Sequence, residues 1–206
     1  MNLTAGQLNY ENVYAMQEEI DWMREAGKGL PPDATVVMIG AGPGVLLISL
    51  LECGREDLWP EVVDIVTTTW CKKSVERATA EQPSLIPRLY CERTRWIEGQ
   101  DSNDVGHEYS GKPIDLLIVD GDHRERGIRR DLEAWLKHVE PGGLVFFHDY
   151  SFDNTPWADR RVRPARTADD FPEVKEQVDA EMAIRNWQQA WRGGCAAVYR
   201  RPHGSP

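Results

Sequence analysis

Cysteine is scarce. Four residues, Cys53, Cys71, Cys91 and Cys195, stand in a chain of 206. No two of them have a C-x-x-C spacing, which argues against a zinc knuckle, a redox pair and a disulfide scaffold. Basic charge is also in deficit. The chain carries 24 Lys and Arg against 34 Asp and Glu, a net charge of −10. Phosphate backbones need the opposite balance, so no general nucleic-acid binding is expected. Long apolar runs are missing too. The most apolar stretch, Val36 to Leu51, is broken by Gly40, Gly42, Pro43 and Gly44, and a spanning helix needs about 20 apolar residues. The opening residues, MNLTAGQLNYENVYAMQEEIDWM, have acids where a signal peptide has basic residues, and no apolar core segment. A soluble cytoplasmic protein without membrane contacts is the expectation. Neither an internal repeat nor a low-complexity tract is visible.

What remains is ordinary globular composition, with 41% hydrophobic and 28% charged residues. The length suits one domain, with a radius of gyration of about 17 Å. We read residues 1–33 as an N-terminal helical segment, 34–201 as the domain and 202–206 as a frayed tail. In the first segment, Val13, Met16, Ile20 and Met23 recur at three- and four-residue spacings. This predicts a helix over Asn9–Arg24, stopped by Gly27 and Gly29. Its apolar face leaves a homo-oligomer open.

Strands and helices then alternate. TVVMI (Thr35–Ile39) reads as a buried strand and VLLISLLE as the helix after it. Glu61–Thr67 reads as a strand and Lys72–Ala80 as a helix. Short strands are expected near Arg88–Cys91 and Arg95–Glu98. IDLLIV (Ile114–Val119) is a clear strand. Glu125–Val139 is an amphipathic helix ended by Pro141-Gly142-Gly143, and LVFF (Leu144–Phe147) follows as a strand. Asp149–Thr167 reads as a long loop carrying Trp157, Arg160, Arg161, Arg163 and Arg166. Phe171–Glu181 reads as a helix. Met182–Trp191 and Cys195–Arg200 read as a closing hairpin turned at Arg192-Gly193-Gly194. The expected fold is α/β: a Rossmann-like, doubly wound, mostly parallel sheet with a C-terminal antiparallel hairpin and helices on both faces. In such a fold, ligands sit at the C-terminal ends of the strands.

Three strand ends carry chemistry. The first ends in Gly40-Ala41-Gly42-Pro43-Gly44. Glycines there let the backbone turn tightly and approach a ligand. A dinucleotide fingerprint needs a third small residue where Val45 stands, which disfavours a nicotinamide oxidoreductase. G-x-G-x-G is instead the pattern of S-adenosylmethionine methyltransferases. Two further strands end in Asp120-Gly121-Asp122-His123 and His148-Asp149-Tyr150. As neighbours in a doubly wound sheet, they would bring Asp120 and Asp149 together. Two carboxylates at one edge suit a hard divalent cation such as Mg²⁺, and a neutral His123 beside them could take a proton from a substrate hydroxyl. Asp122 reads as a helix N-cap, and Arg124, Arg126, Arg129 and Arg130 read as surface charges offset by Glu125, Asp131 and Glu133.

The segment IDLLIVDGDHRERGIRRDLEAWLKHVEPGGLVFFHDY, Ile114–Tyr150, closely resembles the class I S-adenosylmethionine-dependent methyltransferases of the macrocin O-methyltransferase-like group (methyltransferase domain 24 type). VVMIGAGPG, the Trp70 region, Glu98–Ser102 and FPEVKEQVD extend the likeness more weakly. The resemblance implies that Gly40, Ala41, Gly42 and Gly44 border the donor and that Asp101 and Ser102 lie near its adenine, with Asp120 also beside it. It places Asp120 and Asp149 at metal-ligand positions, with His148 where related proteins often have a further acidic ligand. His123 stands at the base position of the group's sugar O-methyltransferases. Met38 occupies a place before the glycine loop where the family often has an acid. Thr68, by register with Thr69-Trp70, stands where an acid usually grips the ribose, and Asp64 falls upstream, inside the strand. The activity implied is O-methyl transfer to a hydroxyl of a small molecule, a sugar or natural product, assisted by Mg²⁺ or another divalent cation. The other reading is a non-catalytic relative that binds a nucleoside or a partner protein.

Overall fold

The computed structural model describes residues 15–65, 68–81, 94–152 and 172–204. Helix α1 (Gln17–Gly29) precedes strand β1 (Thr35–Ile39). The chain then runs α2 (Val45–Leu51), β2 (Trp59–Asp64), α3 (Thr69–Glu81), β3 (Arg95–Glu98), α4 (Ser102–Glu108), β4 (Ile114–Val119) and α5 (Glu125–Trp135). A 3₁₀ turn at Leu136–His138 leads into β5 (Val139–Phe147), and α6 (Pro172–Arg185), β6 (Gln188–Gly193) and β7 (Ala196–Arg200) complete the order.

The seven strands form one sheet in the order β3-β2-β1-β4-β5-β7-β6. Pairing is parallel from β3 through β5, and antiparallel for β5 with β7 and for β6 with β7. This is the expected doubly wound α/β sheet with a closing hairpin. β1 is buried at all five positions because helices cover both faces. Its side chains alternate accordingly. Val36 and Met38 join Ile20 and Met23 of α1 and Leu47 and Ile48 of α2 in one core. Val37 and Ile39 join Ile128, Leu132 and Trp135 of α5 and Val178 of α6 in the other. Met38 is thus a core residue. The sheet order reverses between β1 and β4, which places the crevice of a doubly wound fold over the C-terminal ends of these two strands. Among the described residues, no helix is long and apolar enough to cross a membrane.

Several boundaries differ from the sequence reading. The first helix begins at Gln17, with Met16 as its extended N-cap rather than within it, and runs on through Gly27 to Gly29. A Cβ at Gly27 would stand 2.9 Å from Cys53 Cβ and from the Leu50 carbonyl, so this glycine lets α1 press onto α2. β2 ends at Asp64, short of the predicted Thr67. Pro141-Gly142-Gly143 does not stop the preceding helix. It lies inside β5, where the register against β4 shifts between Ile114 and Leu116. Met182 to Arg185 stay helical, and the helix breaks at Asn186, whose φ of 56° is left-handed. Helix α4 was not anticipated. The expected strand at Arg88–Cys91, the N-terminal part of the first helix before residue 15 and the arginine-bearing part of the long loop all lie outside the described residues.

Candidate active site

The ends of β1, β2 and β4 enclose a cavity of about 360 Å³. Its floor follows from backbone pairing. Gly40 N donates to Val63 O at 2.9 Å, and Asp120 N donates to Ile39 O at 2.8 Å. Gly40 has a φ of 78°, and a Cβ there would lie 2.0 Å from the Asp120 carbonyl oxygen. Only glycine lets the first strand end pass so close to the fourth. Gly42, Asp64, Ile65, Asp101, Ser102 and Asp120 also line the cavity, as do Asp122, Arg124, Arg130 and Asp131 from the α5 side. Asp64 Oδ2 accepts the Ala41 amide at 2.8 Å, so the carboxylate ending β2 holds the glycine loop.

The α5 wall is charged. Asp122 does not cap α5, whose N-cap is Arg124. Its carboxylate accepts from Arg124 N at 3.1 Å and from the guanidinium at 2.8 and 2.6 Å. Arg130 reaches Asp101 at 3.3 Å. These two arginines face the cavity rather than serving only as surface charge. Ser102 donates to Asp131 Oδ1. Burial pushes the Asp131 carboxyl up to about 6, with the nearby Asp101 and Asp122 adding to it while Ser102 and Arg130 oppose.

A second group lies beyond Asp120. One ligand atom from each of Asp120, His123, His148 and Asp149 falls within 4.8 Å of the others. His148 N pairs with Val119 O at 3.0 Å, which continues the β4–β5 ladder and sets the two strand ends side by side. Asp149 follows with a left-handed φ of 49°, a conformation Asp tolerates better than most residues. His148 Nδ1 lies 3.0 Å from Asp120 Oδ1 and 3.5 Å from Asp149 Oδ2. His123 Nε2 lies 3.4 Å from Asp120 and 3.3 Å from Asp149. Burial by itself would raise both carboxylates. The facing His148 overrides it, and both are held below the usual carboxylate range. For the two imidazoles, burial alone would lower the pKa, and the carboxylates raise it instead. Two carboxylates and two imidazoles at this separation could hold a divalent cation. Asp120 belongs to both the cavity and this cluster.

Residues 37–150, more than half of the chain, match a methyltransferase domain family, the type-24 methyltransferase domain. The chain belongs to this family. It is an S-adenosylmethionine-dependent methyltransferase. The fold is shared with solved O-methyltransferases. One is TomG from Streptomyces achromogenes, involved in tomaymycin synthesis and solved with S-adenosylmethionine. It is 13% identical with a TM-score of 0.64, over 97% of this chain and 88% of that one. Another, from Bacillus cereus and solved with S-adenosylhomocysteine, is 13% identical with a TM-score of 0.61, over 96% and 89%. A Podospora anserina methyltransferase bound to S-adenosylhomocysteine is 15% identical with a TM-score of 0.64, over 91% and 79%.

In this methyltransferase, Gly40, Gly42, Asp101, Ser102 and Asp120 line the cavity, whereas Ala41, Gly44 and Thr68 do not. Gly44 faces Cys71, whose sulfur would stand 2.8 Å from a Cβ at that position. Thr68 is buried, and its hydroxyl and amide both donate to Glu98 Oε1, at 2.6 and 2.8 Å. Lys72 and Thr68 together hold the Glu98 carboxyl down at about 2. The carboxylate at the end of β2 that borders the cavity is Asp64. Asp64 is hidden in the sequence because apolar Ile65 continues the strand pattern beyond the last paired residue. The Asp-Ile-Val-Thr order, an acid ending an apolar run, was the available signal. His123, His148 and Asp149 gather around Asp120.

Proposed function

We propose that the protein transfers a methyl group from S-adenosylmethionine to a hydroxyl oxygen of a small molecule, with a divalent cation at Asp120, Asp149 and His148. The observation that carries this reading is the sharing of Asp120. One face of this residue borders the cavity of the glycine loop and the other joins the Asp149–His148–His123 cluster. A donor held on the first side and an acceptor on the second would meet over one strand end.

The residues divide the work. Backbone at Gly40 and Gly42 lets the donor approach the strand ends. Asp64 is a carboxylate acceptor at the end of β2, suited to the vicinal hydroxyls of a ribose. Asp101 and Ser102 lie on the adenine side. His123 takes the proton of the acceptor hydroxyl, the oxygen bonds the methyl carbon, and the carbon–sulfur bond breaks, leaving S-adenosylhomocysteine. A divalent cation at the cluster would acidify and orient the hydroxyl. The remaining contribution is alignment of two bound reactants. A sugar or hydroxylated natural product is the acceptor class we favour.

The test is calorimetric titration with S-adenosylmethionine, followed by an acceptor panel assayed for methyl transfer with and without divalent cation. Micromolar donor binding and cation-dependent methylation of hydroxylated acceptors are expected. Donor binding without transfer to any hydroxyl would favour a non-catalytic relative and overturn the reading.

A further inference from the structure

The cation cluster has a neighbour that the methyl-transfer reading does not use. Glu19 sits in the first turn of α1, with Oε2 accepting the Met16 amide at 2.8 Å, half of a capping box. It is wholly buried, with a side-chain exposure of 0%. Capping does not need such burial. Its other oxygen accepts the Cys195 amide at 2.6 Å and the Cys195 thiol at 2.9 Å. Oε2 also lies 3.4 Å from His148 Nε2. The imidazole of His148 is therefore bracketed, with Glu19 at Nε2 and with Asp120 and Asp149 at Nδ1.

Charge makes the bracket informative. Three carboxylates, Glu19, Asp120 and Asp149, converge on one buried imidazole. Among the described residues, no Lys or Arg pairs with any of them, and their ion pairs go only to His148 and His123. Burying several like charges without a counter-charge is costly. The Cys195 thiol donates to Glu19 and also lies 3.8 Å from His148 Nε2 and 3.4 Å from Asp149 Oδ1. A cation on the Nδ1 side, where the two aspartates face each other, would take over the counter-charge that the two imidazoles otherwise supply.

We infer that Glu19 is a positioning residue that keeps the His148 proton on Nε2 and presents Nδ1 as a ligand beside Asp120 and Asp149, so that the site selects an imidazole-binding transition-metal ion over Mg²⁺. The inference rests on the proposed cation site and deepens it. A ligating histidine commonly gives its other N–H to a carboxylate, which fixes the tautomer and the ring orientation. Mg²⁺ prefers an all-oxygen shell, whereas Mn²⁺, Fe²⁺, Co²⁺ and Zn²⁺ accept imidazole with carboxylates. The N-terminal helix is then part of the cation site and not only a cover for the sheet.

The experiment is Mn²⁺ titration of the full chain by electron paramagnetic resonance, with Mg²⁺ competition and detection of ¹⁴N coupling to the bound ion. Wild type, Glu19→Gln and His148→Asn are compared, and donor binding to each variant reports on the fold. Asparagine puts an amide oxygen near the place of Nδ1. The wild type is expected to show ¹⁴N coupling. His148→Asn should lose it while still binding Mn²⁺, and its preference for Mn²⁺ over Mg²⁺ should narrow. Glu19→Gln should weaken Mn²⁺ roughly 10–100-fold with donor affinity unchanged. Coupling that survives in His148→Asn, coupling absent from the wild type, or an unaltered Mn²⁺ affinity in Glu19→Gln would each overturn the inference and leave the cation site standing. A wild type that binds donor but no Mn²⁺ would overturn the inference and the cation part of the proposed function together.

Discussion

Asp120 and Asp131 border the same cavity, and burial pushes both carboxyls upward. They nevertheless shift in opposite directions. His148 and His123 face Asp120 and hold it ionised well into acid. Asp131 has a serine hydroxyl on one oxygen and further acids nearby, and it is pushed up to about 6. The difference teaches that burial does not decide the charge of a carboxylate; its partners do. One side of the cleft is therefore a set of fixed anions suited to a cation and a proton acceptor. The other side carries charges already paired within the wall, Asp122 with Arg124 and Asp101 with Arg130, and suits a hydrogen-bonding ligand such as a nucleoside.

The sharpest way to break this comparison is at His123. If chemistry belongs to the Asp120 side, His123→Ala should lower kcat by about 10²–10⁴-fold and leave donor affinity in place. Single-turnover rates beside calorimetry check this, and an equal loss in both would remove His123 as the base. The next largest effect is expected at Asp64. Asp64→Asn should weaken donor binding by about 1–3 kcal/mol. Thr68→Val should leave donor affinity where it is and lower stability by about 1 kcal/mol, because its hydroxyl serves Glu98. The opposite pattern would return the ribose contact to Thr68.

These two positions also show what a sequence can and cannot disclose. The strands were legible where β-branched residues run between helical periods, as in Ile114–Val119, and so was the crossover order that sets Asp120 beside Asp149. The short motifs at strand ends told which residues could share an edge. Registers at the ends were not legible, because an apolar run does not mark where pairing stops. Asp64 was therefore placed inside a strand it terminates. Arg124 and Arg130 looked like surface charge on a helix face. Their role depends on Asp122 and Asp101, which lie on a loop and at the cap of a helix that had not been anticipated. Glu19 was invisible for a different reason. Its partner Cys195 lies 176 residues away, and no local pattern links an N-terminal helix to the last hairpin.

The smallest expected effect concerns stability alone, on the Asp131 side. A carboxyl held at about 6 in the fold, against an ordinary value near 4, binds its proton more tightly folded than unfolded. Between those two pH values the native state carries the extra proton, so this group's contribution to stability falls as pH rises and levels off above about 6. Asp131→Asn keeps an oxygen to accept from Ser102 and has no charge to develop. Relative to the wild type, the variant should be no more stable at pH 4 and should gain steadily through pH 6. The gain at pH 7.5 should be no more than about 2 kcal/mol, since the full shift is worth about 1.4 kcal/mol per unit and part of the wall remains open to water. Thermal melts of both proteins without ligand across that range measure it. Other acids titrate alike in the two and cancel in the difference. A difference that stays constant with pH would mean that Asp131 is ionised throughout, and the contrast between the two sides of the cleft would be lost.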